Sequence, residues 1–359
     1  MEIEEKMKET INDLLALATR MNASDLHLTV GVPPKVRVFG DLKSLDLPVL
    51  LPADVKELAY SLIPPALVAK FEEEGELDFS YSIPRVGRYR VNTYHQRGSV
   101  AVTIRLIGES IPEPEELGIP EVVIELIHKK RGLVLVTGPT GSGKSTTLAA
   151  LINRINMLYE YHIITLEDPC EYLHSHKKSI VNQREIGTDT LSYGKALRAA
   201  LREDPDVILV GEMRDLDTIS TAITAAETGH LVFSTLHTIG AASTIDRIID
   251  VFPPYQQTQI RSQLALVLEG VISQQLIPTI GEKGRKAAFE VMLATPAIRN
   301  MIRESKTHQI ASALQTNRKV GMQTMDDAIY ELYANRYIDR EQALGYAQDT
   351  NSLSTRIYR

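Results

Sequence analysis

At 359 residues the chain is too long for one typical core and long enough for two or three domains, and its 43% hydrophobic and 24% charged content is that of an ordinary globular protein. A net charge of −7 argues against a nucleic-acid partner, and a single cysteine, Cys170, excludes an internal disulfide and any paired-cysteine zinc module. No apolar run approaches the roughly 20 residues of a membrane span, and the acidic start Met1-Glu2-Ile3-Glu4-Glu5 is no signal peptide, so the expected location is cytoplasmic or at the cytosolic face of a membrane.

Ile3, Met7, Ile11, Leu14, Leu15 and Ala18 recur at a helical period over residues 3 to 21. Two short strand patterns follow, 25–30 and 35–39, separated by the turn Gly31-Val32-Pro33-Pro34. A helix is expected between Pro52 and Glu74, then strands at 77–81, 88–94 and 100–106, the last two closed as a hairpin at Gly98-Ser99. These elements predict a small α+β domain over 1–108. The proline-rich, acidic stretch Ile111-Pro112-Glu113-Pro114-Glu115-Glu116 reads as part of a linker over 109–120.

From residue 121 the pattern becomes strands alternating with helices, which predicts an α/β domain with a parallel sheet. Expected strands are 133–137, 162–166, 207–211 and 231–236; expected helices are 143–158, 192–203, 215–228 and 240–250. Beyond about 254 the reading is largely helical to 359, with one strand-like run at 287–293.

The chemistry is organised around Gly138-Pro139-Thr140-Gly141-Ser142-Gly143-Lys144-Ser145, which fits G-x-x-x-x-G-K-[ST]. It follows an apolar strand and opens a helix, the context in which backbone N–H groups and the helix dipole hold a phosphate. ATP is therefore the expected ligand, held by 138–146 including Thr146. Lys144 would reach the β- and γ-phosphates, and Ser145 would ligate Mg²⁺.

Three clusters sit where strands are expected to end, the edge at which such a sheet binds ligands. In Glu167-Asp168-Pro169-Cys170-Glu171, Glu167 or Asp168 could hold Mg²⁺ through water or polarise the attacking water; the plainer reading is a solvated acidic loop. Val207-Ile208-Leu209-Val210-Gly211-Glu212 resembles a Walker B strand, with Gly211 where many ATPases place the metal aspartate. Glu212 is the candidate general base or water positioner, or else the cap of the next helix. His230 and His237 bracket the strand 231–236 and are candidates to contact the γ-phosphate. His174 and His176 have only Cys170 near them in sequence and read as loop residues rather than metal ligands.

Ala-Ser-Asp-Leu-His-Leu at 23–28, the phosphate loop, Glu167-Asp168-Pro169, Gly211-Glu212-Met213-Arg214-Asp215, and Thr228-Gly229-His230 through Thr235-Leu236-His237-Thr238 occur in that order. Together they resemble the secretion ATPase superfamily, which includes the motors of type IV pili and of type II and type IV secretion. Ala297-Ile298-Arg299-Asn300-Met301-Ile302-Arg303-Glu304 is similar to the AIRNLIRE motif of the pilus retraction branch, with Met301 for leucine. Assembly ATPases carry a four-cysteine zinc insert, which one cysteine cannot supply.

The resemblance implies an N-terminal PAS-like domain, a RecA-like ATPase domain with a helical C-terminal part, and a homohexamer with nucleotide between subunits. It implies a motor ATPase that retracts pili for twitching motility at the cytosolic face of the inner membrane. An inner-membrane platform protein would be its partner, and membrane association would come through partners only. Alternatives are an accessory retraction paralogue, an assembly or type II secretion ATPase, a nucleic-acid translocating motor, or a weakly hydrolysing regulatory module.

Two further expectations remain. Ile298, Met301 and Ile302 share one helical face, and the resemblance implies that this segment couples the nucleotide cycle to retraction. Arg90 and Arg105, on neighbouring strands, are candidates to reach a neighbouring subunit's nucleotide, since a planar guanidinium can grip two phosphate oxygens at once. Ordinary surface arginines are the alternative.

Overall fold

The computed structural model describes residues 9–38, 40–83, 86–107, 110–281 and 284–358. The backbone divides into two compact units, Met1–Ser110 and Ile111–Arg359.

The first unit contains α1 (Ile11–Arg20), β1 (Asp25–Leu28), β2 (Lys35–Val38), β3 (Asp41–Ser44), α2 (Pro52–Leu62), α3 (Val68–Glu74), β4 (Glu76–Ile83), β5 (Gly87–Gln96) and β6 (Ser99–Ile107). Ile3 and Met7, expected in the first helix, lie outside the described residues. Thr10 and Asp13 form a reciprocal capping box that starts α1. The long helix expected between 52 and 74 is two helices, because Pro64 and Pro65 remove two backbone donors between them.

The strands make a six-stranded sheet in the order β3-β2-β1-β6-β5-β4, every pair antiparallel. Gln96 pairs with Ser99, so the two-residue loop of the β5–β6 hairpin is Arg97-Gly98, both at positive φ, one residue earlier than the sequence reading placed it. Alternation places Leu26, Val36, Phe79, Val91 and Ile104 against α1 and α2 in one core. The opposite face carries a row in direct cross-strand register, Arg37, Asp25, Arg105, Arg90 and Ser80.

The second unit contains α4 (Glu121–Ile124), β7 (Gly132–Thr137), α5 (Lys144–Leu158), β8 (His162–Glu167), β9 (Ile180–Glu185), α6 (Tyr193–Ala200), β10 (Val207–Val210), α7 (Leu216–Glu227) and β11 (Leu231–Leu236). It continues with α8 (Ala241–Asp250), α9 (Pro254–Val267), β12 (Leu268–Pro278), β13 (Arg285–Leu293), α10 (Pro296–Arg303), α11 (Ile310–Thr316), α12 (Met325–Ala334), α13 (Arg340–Tyr346) and α14 (Thr350–Ile357). A seven-stranded sheet runs β13-β12-β7-β11-β10-β8-β9, parallel except for the β12–β13 pair. Leu133 and Leu135 face a core shared with α6 to α10, while Val134 and Val136 face one shared with α4 and α5. A parallel sheet covered on both faces needs such unbroken apolar strands.

Reading the chain as helical from 254 missed β12, which lies inside the sheet. Nearly every residue of β12 is buried, so it lacks the alternation that marks a half-exposed strand. Two of its polar residues have internal partners: Gln274 Oε1 accepts the Thr147 hydroxyl at 2.8 Å, and Ser273 Oγ accepts the Gly240 N–H at 3.0 Å. The edge strand β9 was also missed. Within the expected linker, Glu113 and Glu115 both accept from Arg154 of α5, at 2.9 and 2.6 Å, so residues 113–115 are fastened to the second unit.

In α10, Ile298 and Ile302 are fully buried and Met301 packs beside them, so the apolar face covers its own unit. Arg299, on the other side, donates to the carbonyls of Ala294, Ala265 and Leu266 and to Glu269 Oε1. It caps the end of α9, whose last carbonyls have no helical partner.

Candidate nucleotide-binding and catalytic site

Thr137 ends β7 and Lys144 begins α5, so the glycine loop turns between a buried strand and a helix N-terminus. Gly138 has φ +143°, and a Cβ there would come within 2.2 Å of the Gln274 carbonyl oxygen, so no other residue fits. Ser142 is buried with its hydroxyl unpartnered among the described residues. Lys144 is 8% exposed and donates to its own loop, to Gly138 O at 2.8 Å and Pro139 O at 3.0 Å. Burial draws the Lys144 ammonium below the usual lysine range, against the opposing charges of Glu212 and Glu171. Thr146 is held from the side by the Tyr172 hydroxyl at 3.0 Å.

Ser145, Glu167, Tyr172, His174, Gly211 and Thr235 line one recess of about 30 Å³ beside the loop. Glu167 closes β8 and accepts from the Thr165 hydroxyl at 2.7 Å and the Gln183 amide at 3.3 Å. Burial pushes its carboxyl up, and those two donors oppose the shift. Gln183 also donates to Tyr172 O and accepts the His174 N–H, which ties the acidic loop to β9. The His174 ring is pushed down to about 4, chiefly by burial, and His176 accepts the Val181 N–H.

Glu212 stands two residues beyond β10, where Gly211 N–H donates to Leu166 O at 2.7 Å. Arg214 Nε lies 2.6 Å and His237 Nε2 3.1 Å from the same oxygen, Glu212 Oε1. Burial alone would raise this carboxyl; the Arg214 hydrogen bond and the charges of His237 and Arg214 outweigh it and hold it below the usual range. The capping role considered for Glu212 belongs to Asp215, whose side chain accepts the Thr218 N–H at the start of α7. A side chain at Gly211 would be crowded: a Cβ there would lie 3.0 Å from the Tyr193 hydroxyl and 3.1 Å from Leu166 O.

The two histidines separate. His237 follows β11 at the edge where β7 delivers the phosphate loop, Leu236 pairing with Thr137. His230 precedes β11 at the opposite edge, where its carbonyl accepts the Gly132 N–H. Seven residue steps at about 3.3 Å each set the two roughly 23 Å apart. The expectation that both stand beside this chain's phosphate loop is thus corrected for His230, whose ring instead bonds Ala225 O at 2.9 Å.

Arg90 and Arg105 belong to the first unit, where they are direct cross-strand partners. Arg105 Nε donates to Asp25 Oδ1 at 3.2 Å, and Arg90 Nε lies 3.9 Å from Asp78 Oδ1. The contact of Arg214 with Glu212 has one signal in the sequence, a spacing of two residues. Gln183 and Tyr172 carried none.

The chain is similar to known proteins along most of its length. The family described as type II/IV secretion system protein matches residues 79–344. The type IV pilus retraction ATPase PilT of Pseudomonas aeruginosa is 52% identical over 333 residues, 93% of this chain and 96% of that protein. The type IV pilus ATPase PilU of the same species is 41% identical over 344 residues, 96% of this chain and 90% of that one. A crystal structure of the pilus retraction motor PilT with bound ADP superposes with a TM-score of 0.91 at 50% identity, covering 97% of this chain and all of the other. A glycine loop between a buried strand of a RecA-like parallel sheet and a helix N-terminus suits an ATP-hydrolysing enzyme, and this chain belongs to the type II/IV secretion system protein family, in the branch of the pilus retraction ATPases.

Proposed function

We propose that the chain is the motor ATPase that retracts type IV pili for twitching motility. It acts as a homohexamer on an inner-membrane platform protein at the cytosolic face. The single observation that carries this reading is the likeness to the retraction ATPase along nearly the whole chain, greater than the likeness to PilU.

In the proposed cycle, ATP enters the glycine loop and its phosphate oxygens replace the two loop carbonyls on Lys144. Ser145 and Glu167 offer hard oxygen donors to one recess, which suits Mg²⁺. That ion would neutralise phosphate charge; Ser145 would bind it directly and Glu167 through water. Glu212 takes the attacking water. Because Arg214 and His237 both hold Oε1, the carboxylate is fixed in orientation and Oε2 accepts the water proton. Its depressed range keeps it ionised at neutral pH. His237 moves with Glu212 when γ-phosphate charge is lost, and Arg90 and Arg105 of an adjacent subunit stabilise charge on the transferred group. His230, far from this chain's own loop, takes no step in it.

A strain lacking this chain should carry abundant surface pili and fail to twitch. Sparse pili in that strain would instead identify an assembly ATPase.

A further inference from the structure

Helix α8 begins four residues after His237, and its start is unusual. The N-cap is Gly240, which has no side chain to accept the first helical N–H groups. Ala241 is buried, so its N–H needs a partner within the protein. Two adjacent strands supply the cap instead. Gly240 N–H donates to Ser273 Oγ at 3.0 Å, and Ala241 N–H donates to Glu290 Oε1 at 2.7 Å. Ser273 and Glu290 are direct partners across the antiparallel β12–β13 pair, so the sheet presents both oxygens side by side.

The second oxygen of the same carboxylate reaches another helix. Met325 N–H, at the first position of α12, donates to Glu290 Oε2 at 3.3 Å. Glu290 is 4% exposed and sits between two helix N-termini; burial pushes its carboxyl up, and the N–H groups of Ala241 and Met325 and the side chain of Gln348 oppose that shift. The loop it anchors is short. Thr238, the residue after His237, is tied to Thr244 in the first turn of α8 at 2.7 Å.

We propose that Glu290 is a positioning residue for the Glu212–His237 pair. By holding the start of α8 it sets where residues 237–240 leave β11, and hence the 3.1 Å contact from His237 to Glu212. Through Met325 it makes that placement depend on the docking of α12. The proposal rests on the reading of Glu212 and His237 given above.

Glu290→Gln is nearly isosteric but has one accepting oxygen where the carboxylate has two, so one helix start loses its partner. In the full-length assembled protein, kcat for ATP should fall about 5- to 20-fold with KM changed less than about 2-fold, the signature of an interaction acting in the transition state. Amide exchange at 238–243 should quicken. A cycle with His237→Ala separates positioning from general support: in that background Glu290→Gln should lower kcat by less than about 2-fold, because the residue it positions is gone. An equal loss in both backgrounds, or unchanged exchange at 238–243, would overturn the proposal while leaving the role of His237 intact. Parental turnover by His237→Ala alone would overturn the underlying reading, and the proposal with it. If Glu290→Gln does not fold, Ser273→Ala removes only the hydroxyl under Gly240 and should show the same kcat loss, with Ser273→Thr restoring it; parental kcat in Ser273→Ala would again overturn the proposal.

Discussion

Replacing Gly211 by alanine tests whether this site has traded the usual metal aspartate for close packing. The added Cβ would lie 3.0 Å from the Tyr193 hydroxyl, 3.1 Å from Leu166 O and 3.3 Å from Glu167 Cα. The tyrosine tip can give way, but the other two are backbone atoms at the end of β8 and cannot. Overpacking of this kind costs about 1–3 kcal/mol. Gly→Ala also restrains the unfolded chain, which offsets about 0.4–1 kcal/mol where the backbone is compatible. The net expectation is a loss of about 1–2 kcal/mol. In a unit of this size each kcal/mol lowers Tm by about 2–4 °C, so the shift should be about 2–8 °C. Turnover should fall with it, because the displaced atoms belong to the strand end that carries Glu167. Tyr193→Phe removes the closest of the three contacts, and in the double variant part of the loss should return. Thermal melts with steady-state ATPase assays read both effects. A Gly211→Ala protein that melts and turns over like the parent would refute the argument from packing.

Lys144→Ala should abolish turnover and weaken nucleotide binding, read by fluorescent-nucleotide titration. Mixing that variant with an Arg90→Ala, Arg105→Ala protein, each inactive alone, should recover part of the activity if the arginines act on a neighbour's nucleotide; no recovery despite proven co-assembly would exclude it. Arg214→Gln removes a charge that holds the Glu212 carboxyl down, so the acid limb of the kcat–pH profile should move to higher pH; an unmoved limb would separate Arg214 from Glu212. Arg299→Ala leaves the Ala265 and Leu266 carbonyls without their donor and should cost about 2–3 kcal/mol of stability by denaturant melts, whatever its effect on motility.

The nucleotide site was legible because its chemistry is local. A glycine loop between an apolar strand and a helix is written in consecutive residues, as is Glu212 two places past Val210. The parallel core was legible for a related reason: β7, β8, β10 and β11 are short apolar runs with turn signals at their ends. What stayed hidden depends on contacts between distant segments. β12 falls in the stretch that reads as helical because it lacks the alternation of a half-exposed strand, and Gln274 and Ser273 find their partners in α5 and just before α8. The strand between His230 and His237 is legible, but which of the two lies at the phosphate edge rests on the pairing of β11 with β7. The role of Arg299 is not legible in its motif, because its partners include carbonyls more than 30 positions away.

The central claim is that Glu212 orients the water that attacks ATP. Glu212→Gln preserves the shape and removes the base, so nucleotide affinity should stay within about 2-fold of the parent while kcat falls about 100-fold or more. Steady-state turnover measured beside equilibrium ATP binding on the same purified protein gives both numbers. Hydrolysis at the parent rate would contradict the assignment and pass the role to Glu167.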